Sequence, residues 1–206
     1  MLAATAAHAD DRHGPSAPGD RFPSHELRLR AHTPRTQLGF HYGLLQPILL
    51  KGFNAAVDLR MGRLVLSYSH GASLDLTRTS RTATEKAAGL GIRAPYSTGF
   101  GVGVVLIDEL YVMADFKLHH FELDIGADRA SYSTITVGAE LGWRFFVWRG
   151  LYVSPVVRYW PNVWTSAPDG GVVLDPGDGA PLVHHPVKQG ASGLFANLLI
   201  GWAFDL

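Results

Sequence analysis

Between Ser133 and Val147 the chain alternates two kinds of residue almost without error. Odd positions read Ser133, Ile135, Val137, Ala139, Leu141, Trp143, Phe145 and Val147; even positions read Thr134, Thr136, Gly138, Glu140, Gly142, Arg144 and Phe146. A period of two marks a β-strand whose side chains point alternately to opposite faces. One face is oily, and the other sets opposite charges among glycines and threonines. That combination suits a strand with hydrocarbon on one side and a wet or salt-bridged lumen on the other.

The same rhythm recurs along the chain. Gln37–Leu45 places Leu38, Phe40, Tyr42 and Leu44 on one face, and Gln46-Pro47 breaks it, since proline cannot serve a central ladder. Ile48–Arg60, Arg63–Leu76, Tyr96–Ile107, Leu110–Ile125, Ser133–Val147, Leu151–Trp164 and Gly193–Leu206 follow, giving eight strands with Gln37–Leu45. The phase of the apolar residues slips at His119-His120, which predicts a β-bulge there. Tight turns are expected at 61–62, 108–109 and 148–150, and longer connections at 77–94, 126–132 and 165–191. Inside the last of these, Val172-Val173-Leu174 and Leu182-Val183 can form a small projecting hairpin. Gln46-Pro47 is the weak joint, because a tight turn falls where the topology wants an outer loop.

No run of 18 apolar residues exists, and the longest stretch free of Asp, Glu, Lys and Arg, Gln189–Phe204, contains Gln, Ser and Asn, so a spanning helix is not expected. A membrane protein without such helices must satisfy its backbone by closing a barrel. The expected fold is therefore all-β, a transmembrane up-and-down antiparallel barrel of eight strands over 37–206, behind a tail over 1–36. Ala7-His8-Ala9 has the small-x-small form of a signal-cleavage site, and Glu26–Arg30 can add a short strand. Eighteen basic and eighteen acidic residues leave no net charge, so no basic field argues for nucleic acid. The chain has no Cys, which excludes disulfides and thiolate metal sites.

The pattern over 37–206 resembles the small eight-stranded bacterial outer-membrane barrels of the OmpA-like and OmpX-like class. Such proteins end in a strand of alternating apolar residues that the barrel-assembly machinery reads. Gly201-Trp202-Ala203-Phe204-Asp205-Leu206 has that spacing, although it closes on Leu206 where the class has Phe. The resemblance implies an outer-membrane location, with membrane lipid and the assembly machinery as partners. The long connections at 77–94 and 165–191 are where an extracellular ligand would be expected to bind.

Strand phase sends ten charges inward: Asp58, Arg60, Arg63, Asp75, Asp115, Lys117, Glu140, Arg144, Arg158 and Asp205. A narrow eight-stranded interior is filled by side chains, so these must pair in a network. Pairing Val147 with Leu151 would set Glu140 opposite Arg158. Pairing Ile107 with Tyr111 would set Gly103 beside Asp115 and Gly101 beside Lys117, leaving room for the long side chains. Trp148, Tyr152, Trp160, Trp164, Trp202 and Phe204 suit interfacial girdles. Neither His119-His120 nor His184-His185 chelates one ion well, since adjacent strand residues face opposite ways, and no cofactor or metal is expected.

A structural or surface-binding barrel is the expected function. Three others use the same residues: a barrel-embedded enzyme acting on lipid or lipopolysaccharide, with His70 beside Ser69 or His120 near Glu122 as ingredients; a narrow pore; and a soluble lipocalin-like barrel with its oily face inward.

Overall fold

The structure, a computed structural model, describes residues 36–177, 179–187 and 192–206. The expected tail, with Ala7-His8-Ala9 and Glu26–Arg30, lies outside the described residues apart from Thr36. In chain order the elements are β1 (Thr36–Gly43), helix α1 (Leu45–Leu50), β2 (Phe53–Met61), β3 (Leu64–Asp75), helix α2 (Ala83–Ala87), β4 (Gly91–Ile107), β5 (Leu110–Ile125) and β6 (Asp128–Trp143). β6 continues past Arg144 as β7 (Phe145–Trp148), followed by β8 (Leu151–Thr165), β9 (Val172–Leu174), β10 (Val183–His185) and β11 (Ser192–Asp205).

Each long strand pairs antiparallel with its neighbours in sequence, and β11 pairs with both β8 and β1, closing a barrel of eight walls. Paired residues lead round the wall from Leu38 through Leu59, Leu66, Val102, Ala114, Ala139 and Tyr159 to Leu194. Leu38 itself pairs with Phe204, ten positions further along β11 than Leu194. A stagger of that size tilts eight strands by roughly 35–45° and leaves an interior that side chains can fill.

Turn chemistry fixes the register. The short turns are Gly62-Arg63, Asp108-Glu109 and Arg149-Gly150, with left-handed backbone at Gly62 (φ 58°), Asp108 (φ 49°) and Arg149 (φ 46°). The last is two residues long, not three; a bulge between Phe146 and Trp148 absorbs the difference, so Glu140 still faces Arg158. The β4–β5 register moves by two residues from expectation, one because Ile107 pairs with Leu110 at the Asp108-Glu109 turn and one from a bulge between Val105 and Ile107. Gly101 faces Asp115 and Gly99 faces Lys117, so glycine still opposes each long side chain because a shift of two preserves the face. At the other rim, Gln46-Pro47 is not a tight turn: it lies in α1, which supplies the outer connection the topology required. The expected loop at 126–132 shrinks to Gly126-Ala127, with the rest drawn into β6.

The slip at His119-His120 has a different cause from a bulge in β5. β5 pairs with β6 without interruption from Leu110↔Trp143 to Ile125↔Asp128, so Tyr111, Asp115, Lys117, His119, Phe121, Leu123 and Ile125 share one face. The chemistry of that face changes instead. Below His119 the inner residues are polar and the outer ones apolar; above it Leu123 and Ile125 are buried while Glu122 is exposed. The register shift lies in β4 between Arg93 and Tyr96, opposite left-handed Ser73 (φ 56°) in β3. It turns Ile92 and Ala94 inward and leaves Arg93 exposed.

The barrel thus has two stacked zones. In the lower one, Leu141, Val157 and Ile200 are 49%, 46% and 38% exposed, while Glu140 and Arg158 are 1% and 4% exposed. A lipocalin-like orientation is excluded. Outward apolar residues on β5 run from Leu110 to Leu118, about 20 Å of height for tilted strand, close to the ~25 Å band of membrane barrels. In the upper zone Leu90, Ile92, Leu123, Ile125, Tyr132, Val172, Leu174 and Val183 form a core roofed by the β9–β10 hairpin, which folds over the barrel instead of projecting.

Trp148, Trp164 and Phe204 are exposed near strand ends, and Trp202 meets Trp148 edge to face at 5.8 Å. Tyr152 and Trp160 do not join them. Tyr152 is fully buried, and Trp160 is half-buried beneath two interior cations, because even positions of β8 point inward as far as Asn162, beyond which a register shift turns Trp164 outward. Moving one charge tests the two zones. With the apolar belt in hydrocarbon, Leu141→Arg costs about 2–4 kcal/mol, whereas Ser131→Arg, on the same outer face but in the upper zone, costs little. Urea unfolding midpoints in lipid vesicles measure the difference, and equal losses contradict the placement.

Candidate functional site

At the end where the turns are short, the interior is built on three ion pairs and two tyrosines. The Arg144 Nη2 lies 2.8 Å from the Asp58 carboxylate, and both side chains are almost fully buried. His41 Nδ1 approaches Asp58 at 3.3 Å and the Tyr152 hydroxyl at 3.2 Å. The Arg144 guanidinium stacks 4.9 Å over Tyr152 and 5.6 Å from the Tyr111 ring centre. Arg60 pairs with Glu109, and Arg158 donates to Glu140. Glu140 also accepts from the Tyr111 hydroxyl at 2.8 Å. Glycines make the space: a Cβ on Gly39 would lie 2.6 Å from Asp58 Oδ1, and one on Gly101 2.5 Å from Asp115 Oδ1.

Seven of the ten expected lumen charges lie inside the barrel: Asp58, Arg60, Asp115, Lys117, Glu140, Arg144 and Arg158 are all buried. Three do not. Arg63 is exposed in the short turn, since the strand begins one residue later. Asp75 sits at the top of β3, where it binds Lys51 at 3.1 Å and accepts from the Thr77 N–H at 3.0 Å. Asp205 is exposed at the opposite rim and accepts from Gln37 Nε2 at 2.8 Å. All three lie at strand ends, where alternation still assigns a face but the wall no longer encloses it. Glu109 was missed for the same reason, as a turn residue whose carboxylate reaches back inside. His41 was missed because an isolated histidine in β1 shows no charge pattern.

Above this layer the polar groups thin out. The Lys117 Nζ lies 4.6 Å over the Trp160 ring and has no carboxylate within 4.0 Å among the described residues. His119 is held between the Ser97 hydroxyl (2.9 Å) and the Thr136 hydroxyl (3.1 Å). These side chains line the lower part of a cavity of about 670 Å³ that Leu50, Leu74, Leu76, Phe121, Tyr132 and Phe195 line with apolar surface.

The two expected surface loops are tied to each other. Glu85 on α2 accepts from the Thr82 N–H at 2.6 Å, completing a capping box, and lies 2.7 Å from His185 Nδ1 on β10. The other ring nitrogen of His185 meets the Tyr132 hydroxyl at 3.2 Å. Burial works to raise the Glu85 carboxyl's pKa, but the Thr82 N–H and His185 outweigh it and hold it below the ordinary glutamate range. Because the folded value is depressed, this stabilisation is complete above the unfolded glutamate pKa and is lost as pH falls through the folded value. Protease nicking of the two loops should therefore rise on acidification below about pH 4, the ordinary glutamate value. Glu85→Gln should show that nicking at neutral pH. A pH-independent pattern shared by both proteins contradicts the tie.

Of the ingredients for lipid chemistry, Ser69 is buried inside while His70 is only half-buried and tilts against Phe53 at 6.4 Å. His120 Nδ1 does meet a hydroxyl, that of Ser133, at 3.0 Å across the β5–β6 pair, with Tyr96 stacked on the ring at 5.3 Å. The terminal segment Gly201, Trp202, Phe204 and Leu206 belongs to the closing strand: Gly201 pairs with Tyr152 and His41, Trp202 with Leu151 and Phe40. The Leu206 N–H donates to the Thr36 carbonyl at 2.9 Å.

The site and wall define a closed eight-stranded antiparallel barrel with a charged interior, the architecture of the OmpA-like and OmpX-like barrels. No protein-family model matches the chain, and no curated protein matches it in sequence. Among solved structures, a major outer membrane protein from Thermus thermophilus is similar, with a TM-score of 0.46 and 10% identity over 84% of this chain and 100% of that chain.

Removing one member of a buried pair strands the other, at a cost of about 3–5 kcal/mol. Glu140→Arg and Arg158→Glu should each lower the urea midpoint in detergent, and the double exchange should recover most of the loss. Absence of recovery means the two do not act as partners.

Proposed function

We propose that the chain is an outer-membrane β-barrel of a Gram-negative-type bacterium. Its lumen is a structural plug, and its role is exercised at the cell surface through the crown formed by 77–94 and 165–191. One observation carries this reading: the reversal of inside and outside chemistry at His119. An apolar belt of bilayer height ends there, and above it the outer face becomes charged over an apolar core. A barrel standing in membrane below and water above requires that reversal. The plug supports a closed lumen, since Arg60, Arg144 and Arg158 are each neutralised by a carboxylate within the wall. The partners proposed are membrane lipid around the belt, the assembly machinery at Gly201–Leu206, and an extracellular ligand on the crown. Nucleic acid is not among them.

Heat-modifiable gel migration of the outer-membrane fraction should report a folded barrel, and planar-bilayer recording should show no sustained open state. Recovery in the soluble fraction overturns the location; stable channels from the wild-type protein overturn the plug.

A second reading rests on the His120–Ser133 pair. An imidazole bonded to a hydroxyl near the edge of the apolar belt has the first two elements of an acyl-transfer site, although no carboxylate engages the other ring nitrogen among the described residues. Hydrolysis of a fluorogenic phospholipid that disappears in Ser133→Ala would favour the enzyme.

A further inference from the structure

The wall of the barrel is incomplete on one side of its outer half. β1 stops at Gly43 opposite Leu199, and the Leu44 N–H to Leu198 carbonyl bond is the last link. From Ala196 outward to Ser192, β11 keeps β8 on one edge and has no strand on the other among the described residues. An unpaired strand edge is costly in hydrocarbon unless something polar meets it or protein covers it. Helix α1 covers part of the gap. It is pinned from below by Asn197, whose Nδ2 donates to Gln46 Oε1 at 2.9 Å while its Oδ1 accepts from the Leu45 N–H at 3.2 Å. Ile48 and Leu49 of α1 are 71% and 52% exposed.

The cavity reaches this gap. Leu49 and Leu50 line it from α1, and Gly193, Leu194 and Phe195 from the free stretch of β11. Across from the opening stands Lys117, only 5% exposed, with its ammonium on the Trp160 face and no anion within 4.0 Å among the described residues. Asp115, its neighbour on the same face of β5, lies one inward position closer to the short turns. The chamber volume of about 670 Å³ falls inside the roughly 300–1,000 Å³ range of small-molecule sites.

We propose that this chamber binds a single-chain anionic amphiphile, with its carboxylate on Lys117 and its hydrocarbon against Leu49, Leu50 and Phe195, entering sideways from the outer leaflet through the gap between α1 and β11. Charge complementarity selects the headgroup. The unpaired edge selects the route, because a polar head passing there finds free N–H and C=O groups where the rest of the belt offers none. The proposal rests on the membrane placement above, but it can fail while that placement stands.

The test uses the full chain in amphipol, free of detergent, titrated calorimetrically with laurate, dodecanol and dodecyltrimethylammonium. Laurate should bind about tenfold or more tightly than dodecanol, as a charge-assisted contact requires, with the cation weakest. Lys117→Gln should erase the preference for laurate over dodecanol. Gly193→Trp should abolish binding with folding intact, since a side chain there would start in open space with nothing within 4 Å of its Cβ. Heat-modifiable migration confirms that each variant folds. Equal binding of laurate and dodecanol by the wild-type protein, or no binding of either by a folded barrel, overturns the proposal even if Lys117→Gln cannot be made. A chain that never shows heat-modifiable migration overturns the membrane reading instead.

Discussion

A β-strand leaves its amides unpaired along both edges unless another strand meets them, and here each wall pairs with the next all the way round except along the outer end of β11. Closure of β11 on β1 is the constraint from which the rest follows. It fixes the stagger, the stagger fixes the tilt, and the tilt sets an interior too narrow for water alone. Glycine on a neighbouring strand makes room for Asp58, Asp115 and Lys117, whereas Arg158 lies opposite its own partner Glu140. The ion pairs of the lumen are therefore less a source of net stability than a condition of filling it: desolvating such pairs is expensive, and what they supply is neutrality and a single register.

Most of the wall was legible in the chain because a period of two survives as long as both solvents stay the same. Ser133–Val147 read correctly for that reason, as did the facing of Glu140 and Arg158, which depends on a register that a compensating bulge preserves. The reading failed where the two faces exchanged chemistry. At His119-His120 the apolar residues cross to the other face without any irregularity in the β5–β6 pairing, and periodicity alone cannot separate a slipped strand from one whose faces exchange chemistry. In β3 and β4 the converse holds: Ser73 and the Arg93–Tyr96 bulge shift the backbone while the apolar pattern runs on.

The candidate site was legible in part. Charges in the middle of strands, such as Asp58 and Arg158, have a face assigned by alternation and a wall to enclose it. Those at strand ends do not, so Arg63, Asp75 and Asp205 fell outside while Glu109 fell in. Tyr152 and Trp160 looked like girdle aromatics because ring chemistry is the same at an interface and beneath a guanidinium. The chamber over Lys117 had no signature, since it arises from β1 being eight residues long beside a fourteen-residue β11.

The contact of Glu85 with His185 has an evolutionary consequence. Loops that pack only against themselves ordinarily drift in sequence one at a time. Here two segments a hundred positions apart in the chain share one buried acid–imidazole contact. Neither can be rewritten alone without unseating the other. The two segments therefore form one conformational unit, and its sequence can change only by paired substitutions in both.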